Sequence, residues 1–415
     1  MWPSKRWRNR LALFAMVVGP GIITANVDND AGGIATYSAA GARFGLNILW
    51  ILPPIGVLSG MILWMCSKMA IVTGKGLSGL VRERFGLQVS FYLMLALIAT
   101  NVCNSVANFS GMAAGIELFG ISRFLAVPFG AFLVWRAVVK GTYHSVERLF
   151  FIACFFYLTY VISGFIAGPE WGEVFERTLA PRIEWSGNYF YAIVGITGAT
   201  IAPWMLFYQQ ASTVEKGIPL KHHGYARLDV VIGAVMAMIV QYFIVLTCAT
   251  TLHPHGIAVD SAEQAAKALE PFAGRHCSTL FALGLIMAST FGATILPISS
   301  ATSVCEAMGW EAGLNRKFAE APHYYVTFTL VIAIGAVVAL ASRHERLIGI
   351  MVFSQVVNGL LLPVVLYFTL RVCSDRRVMG EQANSRIFNI LAWLAVAVVA
   401  AMSLTMVALL ILHGG

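Results

Sequence analysis

Apolar stretches long enough to cross a bilayer recur along almost the whole chain, and they constrain its fold more than any other feature. A transmembrane helix needs about 20 consecutive, mainly apolar residues. Eleven segments meet this requirement, at roughly 11–41, 47–73, 88–116, 121–139, 146–168, 189–213, 227–252, 277–307, 324–342, 346–371 and 387–412. Because a bilayer core offers the backbone no hydrogen-bond partners, such segments cross it as helices. The sequence therefore predicts an all-α polytopic membrane protein with about eleven transmembrane helices.

The basic residues of the loops predict how the chain is oriented in the membrane. Lysine and arginine are concentrated in alternate loops, beginning with Lys5, Arg6, Arg8 and Arg10 ahead of the first span. The positive-inside rule then places the N-terminus in the cytoplasm and the C-terminus outside the cell, for a multi-pass protein of the plasma membrane. This bias accounts for the net charge of +8, so the expected partner is the lipid bilayer and not nucleic acid. The oligomeric state is left open, and a monomer is compatible with the sequence.

Two carboxylates, Asp28 and Asp30, lie inside the first apolar stretch, beside the poor helix formers Gly32 and Gly33. An acid at mid-membrane is costly and is rarely placed there without a partner. A helix that breaks at this depth exposes backbone carbonyls, which is tolerated where they line a protein cavity. Carboxylates and free carbonyls together form a cation site, so this span indicates a cation transporter. Asp30 also suits the N-cap of the restarting helix, and Asp28 is either a second ligand, a charge on the path to the site or a partner of the unwound backbone.

A second interrupted span lies around Gly195, Gly198 and Pro203, which break an otherwise apolar sixth helix. Interrupted helices at matching places in two halves indicate an inverted repeat with a binding site between the halves. By analogy this is the architecture of the LeuT-like transporters, with repeats at about 11–168 and 189–371 and an extra helix at about 387–412. No linker divides the chain, so residues 1–415 are predicted to form one transmembrane transporter domain.

Several segments resemble Nramp, the natural resistance-associated macrophage protein family of divalent-metal transporters, nearly from end to end. They are residues 73–86 after the second span, residues 374–380 after the tenth, and Ser354-Gln355-Val356 within the tenth. In that family the first break carries Asp-Pro-Gly-Asn and the sixth carries Met-Pro-His, and these motifs set the metal site. The resemblance implies a transporter of divalent cations.

Both family motifs are altered in this chain. Asp-Pro-Gly-Asn becomes Asp30-Ala31-Gly32-Gly33, which keeps the Asp and loses the Asn ligand. Met-Pro-His becomes Ala202-Pro203-Trp204, which loses the thioether and the histidine. The family's acidic residues in the third span, linked to proton movement, are replaced by Asn101 and Asn104. These departures resemble the Nramp-related magnesium transporters, a divergent branch of the family.

The substitutions imply a site for a hard, hydrated cation. Oxygen ligands suit Mg²⁺ and Mn²⁺, whereas thioethers favour softer metals, and Mg²⁺ is usually held through one or two carboxylates with several waters retained. The small residues Gly33 and Ala202 are expected to leave room for that water. We expect a largely hydrated ion on Asp30, with the backbone carbonyls of Val27 and Ala199 nearby. Gln355 could contribute a side-chain oxygen, directly or through water. The full predicted site is Asp30, Val27, Gly33, Ala199, Ala202, Gln355 and Asp28.

Neutral amides in the third span predict little or no proton coupling, because Asn101 and Asn104 cannot exchange a proton near neutral pH. They are expected to form interhelical hydrogen bonds instead. The membrane potential alone favours the inward movement of a divalent cation by about 4.6 kcal/mol per 100 mV. No cofactor is expected, since Mg²⁺ or Mn²⁺ is the transported substrate.

Other function classes are weighed against this one. The first alternative is a proton-coupled Mn²⁺/Fe²⁺ symporter of the ordinary Nramp type, against which the missing thioether and third-span acids argue. A sodium-coupled amino-acid transporter of the same fold is disfavoured because the two aspartates would repel a substrate carboxylate. An enzyme is disfavoured because the sequence contains no recognisable arrangement of a nucleophile and a base. A metal-sensing membrane receptor without transport stays open, and ion flux would decide it.

Overall fold

A computed structural model describes residues 17–141, 154, 156–259, 262–341 and 344–412, and the regular structure in these ranges is helical, without a β-strand. Four short 3₁₀ segments, Gly45–Ile51, Leu220–His222, His253–His255 and Gly380–Gln382, join the α-helices. In chain order the helices are α1 Pro20–Val27, α2 Ala31–Phe44, α3 Leu52–Thr73, α4 Leu77–Phe85, α5 Leu87–Glu117, α6 Arg123–Val139, α7 Leu158–Ile166, α8 Trp171–Leu179, α9 Gly187–Thr200, α10 Pro203–Lys216, α11 His223–Thr251, α12 Ala262–Met308, α13 Pro322–Ala341, α14 His344–Cys373, α15 Arg376–Met379 and α16 Arg386–Leu412.

The predicted all-α membrane architecture is confirmed. Among the described residues, 8 helical segments are long and apolar enough to cross a membrane. Helix α6, with 17 residues, is slightly shorter than such a segment. Residues 146–153 and 155 of the predicted fifth span, 146–168, and the start of the first span lie outside the described residues, while helix α7 covers much of the rest of the fifth. Helix α12 begins at Ala262 rather than near 277. The apolar part that was predicted to start near 277 is preceded by several more polar turns that belong to the same helix.

The first and sixth spans are each broken into two half-helices, as predicted. Helices α1 and α2 replace the first span, with Asp28, Asn29 and Asp30 between them. Helices α9 and α10 replace the sixth, with Ile201 and Ala202 between them. Both half-helices that begin with proline, α1 and α10, use its fixed backbone angle at the first turn, where the missing N–H costs nothing.

Close helix packing brings the two breaks together at the centre of the bundle. Helix α5 packs against α12, α13 and α14, while α11 packs against α1, α2 and α3. A Cβ atom on Gly198 would overlap the main chain of Gln355 and Gly359, so the backbones of α9 and α14 touch there. The second break is thereby held against the helix that carries Gln355.

Candidate metal site

The first break frees a backbone carbonyl at the end of α1. In a continuous helix the Ala31 N–H would donate to the carbonyl of Val27, four residues earlier. It donates instead to Oδ1 of Asn108 on α5, at 3.2 Å. The Val27 carbonyl, at a fully buried residue, therefore loses its helical partner.

The second break frees a carbonyl for a different reason. The helical partner of the Ala199 carbonyl would be the backbone nitrogen of Pro203, which carries no hydrogen. Ala199 is buried, and its carbonyl is left without that bond. Ala202 adopts an extended conformation as the N-cap of α10, and its own carbonyl accepts from the Met205 N–H at 3.1 Å. Of the predicted residues of this break, Ala199 thus offers an open carbonyl.

Asp30 is built into the start of α2. Its Oδ1 accepts from the Gly33 N–H at 2.9 Å, which makes Asp30 the N-cap of α2. Its Oδ2 accepts from Nδ2 of Asn108 at 2.8 Å. With only 4% of its surface exposed, the carboxylate is oriented by two donors, and its remaining lone pairs are open to a ligand.

Asp28 is buried without any partner for its side chain. It is 3% exposed, and neither carboxylate oxygen has a hydrogen-bond partner in the described structure. The side-chain oxygens of its neighbours Asn26 and Asn29 are likewise buried and unpaired. None of the ion pairs in the described ranges involves Asp28 or Asp30. A buried carboxylate in this state needs a cation or a proton, because burying an uncompensated charge is expensive.

Two glycines allow other groups to approach Asp30 closely. A Cβ on Gly32 would overlap Nε2 of Gln355 and would lie 3.4 Å from Oδ1 of Asp30, so the Gln355 amide sits beside the carboxylate. A Cβ on Gly33 would overlap the backbone carbonyl of Asp28. The position that the Cβ of the family's Asn would occupy is therefore taken by main chain.

A set of neutral amides surrounds the first break. Oε1 of Gln355 accepts from Nδ2 of Asn358 at 3.0 Å, and the same nitrogen lies 3.5 Å from Oδ1 of Asn104. Asn101 donates to Oγ of Ser300 at 2.9 Å, an interhelical bond of the kind expected for the third-span amides. In the present orientation, Gln355 directs its N–H group and not its oxygen toward Gly32.

A second polar set joins the two breaks. The hydroxyl of Tyr37 on α2 lies 3.1 Å from Oγ1 of Thr200 at the end of α9. Thr200 also lies 3.4 Å from Oε1 of Gln241 on α11. These bonds connect α2 and α9, one half-helix from each break, with α11.

Two residues that matter to the site were missed from the sequence. Asn108 continues the spacing of Asn101 and Asn104 by four residues and so faces the same side of α5. Asp229 on α11 accepts from the backbone N–H groups of Gly19, Gly21 and Ile22 at 3.1, 2.7 and 3.3 Å, and thus holds the N-terminus of α1. For Asp229 the sequence does contain a signal, because it is an acidic residue inside a predicted membrane span.

The arrangement suits a hard divalent cation. Two carboxylates, two freed carbonyls and surrounding amides supply only oxygen ligands, the set that Mg²⁺ and Mn²⁺ accept. Within the described residues there is no group of three or more His, Cys, Asp or Glu residues that could hold a metal. A structural metal cage is therefore not found in that part of the chain, and a cation site here has to rely on few ligands.

The fold and the two breaks define a multi-pass membrane protein of the broken-helix, inverted-repeat class. Solved structures share this fold. The manganese transporter of Eremococcus coleocola superposes with a TM-score of 0.78 at 23% identity, covering 97% of this chain and 87% of that one. Mhp1, a transporter of the nucleobase-cation-symport-1 family, superposes with a TM-score of 0.58 at 15% identity, covering 95% of this chain and 91% of that one.

The sequence comparisons are more specific. Residues 21–409 match the family described as natural resistance-associated macrophage protein-like, so this chain belongs to the Nramp family. It is 30% identical over 424 residues to the divalent metal cation transporter MntH 1 of Pseudomonas aeruginosa, covering 96% of this chain and 91% of that protein. The MntH transporter of Verminephrobacter eiseniae is 26% identical over 422 residues, at 96% and 90% coverage. The resemblance to Nramp is confirmed.

Proposed function

We propose that this protein imports divalent cations across the plasma membrane by alternating access, with Mg²⁺ as the main substrate and Mn²⁺ as a second one. The observation that carries the proposal is the pair of buried carboxylates, Asp28 and Asp30, at a helix break without a positively charged partner in the described structure. Relatives named as divalent metal cation transporters support the substrate class. The all-oxygen ligand set, without the thioether of the family motif, supports a hard ion such as Mg²⁺.

In this proposal Asp30 and Asp28 provide the charge, and the Val27 and Ala199 carbonyls provide neutral oxygens. Gln355 contributes its oxygen through water or after its amide rotates away from Asn358. The ion keeps several waters, because Mg²⁺ dehydrates reluctantly. Since the Asp28 carbonyl fills the space beside Gly33, we place these waters on the side of Ala202.

Transport by this site needs no proton. Of the third-span amides Asn101, Asn104 and Asn108, the last contacts the first break directly, and none of the three titrates near neutral pH. The membrane potential supplies about 4.6 kcal/mol per 100 mV for a divalent ion, twice the single-charge value. We also propose the orientation that the basic loops indicate, with a cytoplasmic N-terminus and an external C-terminus. The departures from the usual motifs support an assignment to the magnesium-transporting branch.

The test is cation uptake into proteoliposomes with a pH dye enclosed, for the native chain and for Asp30→Ala and Asp28→Asn. Asp375→Asn is a matched control, because Asp375 also caps a helix but lies outside the site, where it accepts from the Arg377 N–H at 2.9 Å. Saturable Mg²⁺ and Mn²⁺ uptake without a change in lumenal pH, lost in both site variants and kept in the control, supports the proposal.

The same assay separates the alternatives. Mn²⁺ uptake with acidification and without Mg²⁺ flux assigns the chain to the ordinary proton-coupled Nramp transporters. Metal binding that depends on Asp30 without any flux identifies a metal-sensing receptor. Full activity of Asp30→Ala removes the site from the mechanism.

A further inference from the structure

A groove between α3 and α11 opens on the outer surface of the helix bundle. It has a volume of about 290 Å³, and Phe388 at the start of α16 contributes to its lining. Its walls are apolar except for Arg227, which lies at the same end as Trp64. The groove lies apart from the metal site, and in a membrane protein an outer surface of this kind faces lipid.

Two glycines shape the groove. A Cβ on Gly56 would lie 2.8 Å from the Met238 sulfur, and one on Gly60 would lie 3.3 Å from Cβ of Ala234. Because both positions lack side chains, α3 approaches α11 closely while an open channel remains along the surface. The exposed Val57, at 64%, borders it.

The length of the groove matches one leaflet of a bilayer. Along α11 it extends from Arg227 to Met238, about 16 Å at about 1.5 Å per residue. Half of a hydrocarbon core of about 30 Å is about 15 Å. An acyl chain that starts at the level of Arg227 therefore fills the groove and ends near mid-membrane.

The Arg227 end of the groove is positively charged. Arg227 is exposed, and no carboxylate pairs with it in the described part of the chain. Lys68, one turn beyond Trp64 on α3, lies with its Nζ 5.9 Å from the ring centre of Phe388. The ring of His223 packs 6.4 Å from that of Trp64, so an aromatic side chain marks the same level, as is common at a membrane interface.

We propose that this groove binds one anionic phospholipid, with an acyl chain between α3 and α11 and its phosphate at Arg227. The apolar channel, its length of one leaflet and the unpaired cation at its end together fit this ligand. Basic pockets between transmembrane helices recognise lipid headgroups through the same combination of charge and depth.

The test is native mass spectrometry of the purified full chain with phosphatidylglycerol or phosphatidylcholine of identical acyl chains added to the detergent. The native chain retains phosphatidylglycerol in preference. Arg227→Gln lowers its retention about fivefold, the fold-change that corresponds to about 1 kcal/mol per basic side chain. Lys317→Gln, which removes a charge from another exposed loop, leaves retention unchanged.

A second pair of variants tests the acyl channel. Val231→Trp, at a wall residue that is 45% exposed, lowers the retention of both lipids, whereas Val337→Trp, on the exposed face of α13, lowers neither. Val235→Trp, one turn further along, repeats the test if Val231→Trp does not fold. Equal retention of both lipids by the native chain, or equal effects of Arg227→Gln and Lys317→Gln, overturns the proposal. Two further results overturn it. One is that inorganic phosphate alone occupies Arg227, which would make the site one for a soluble anion. The other is that the native chain is a dimer which Val231→Trp dissociates, which would make the groove an interface between two copies.

Discussion

Substituting Asp229 by Asn is expected to loosen the half-helix α1 without unfolding the protein. One carboxylate binds three backbone N–H groups at the start of α1: Oδ1 accepts from Gly19 and Ile22, and Oδ2 accepts from Gly21. These donors have no partner inside the helix. Asp229 therefore satisfies most of the N-terminus of α1 and also complements the helix dipole.

The size of the effect follows from these three bonds. Asparagine keeps one oxygen and replaces the other by an NH₂ group, which faces a donor instead of accepting from it. If the 2.7 Å bond from Gly21 is lost, the cost is that of one strong charge-assisted bond and a weakening of the other two. At about 1.5–3 kcal/mol for a hydrogen bond to a charged group, we expect about 2–4 kcal/mol. This energy shifts the opening equilibrium of α1 by roughly 30- to 700-fold.

Hydrogen–deuterium exchange measures this equilibrium directly, because exchange of buried amides reports local opening. Peptides from α1 should exchange roughly 30 to 700 times faster in Asp229→Asn than in the native chain. Peptides from the centre of α5 should not change. Asp375→Asn, which keeps an N-cap on α15 but removes the charge that pairs with Arg84, should affect only that region. Native exchange rates in α1 of the Asp229→Asn variant would refute the view that this carboxylate anchors the half-helix.

Three further substitutions test the packing and the orientation of the site. Gly33→Asn restores the amide of the family motif but overlaps the Asp28 carbonyl, so we expect a lower melting temperature in a thermal-shift assay; an unchanged value contradicts this. Asn108→Leu removes the side-chain amide that donates to Asp30 at 2.8 Å. We expect the cation affinity measured by calorimetry to fall about 10- to 100-fold. An unchanged affinity would show that Asn108 does not orient the carboxylate. Gly198→Val pushes α9 from the main chain of α14, so size-exclusion chromatography should show little folded monomer, and a normal monomer peak would rule out the close contact.

The broken architecture was predictable because it leaves marks in the apolar pattern. Apolar length predicted the spans, and Gly or Pro within a span, as at Gly195 and Pro203, predicted the breaks. The breaks also explain why the carbonyls of Val27 and Ala199 lack their helical N–H donors. Pro203 removes one donor by its chemistry, which is visible in the sequence, whereas Ala31 turns its N–H toward Asn108, which only the fold brings near.

The details of the site were less predictable, because they depend on which groups meet in space. Asn108 is one of several amides on α5, and nothing in its spacing distinguishes a bond to Asp30 from an ordinary interhelical bond. Gly33 was expected to open a cavity, but the absence of a side chain also lets backbone approach, and the Asp28 carbonyl lies where a Cβ on Gly33 would be. The direction of the Gln355 amide was decided by its neighbour Asn358.

The difference between the two aspartates bears on why a divalent ion is the expected substrate. Asp30 has two donors from the protein, whereas Asp28 has none, although both are equally buried. Without a bound ion the break therefore carries up to two negative charges in a region of low dielectric constant, where neither is paired with a cation in the described structure. A monovalent cation would leave one of these charges uncompensated, while a divalent cation compensates both. Because Asp28 follows α1 and Asp30 begins α2, an ion held by both also pulls the two half-helices together against their mutual repulsion.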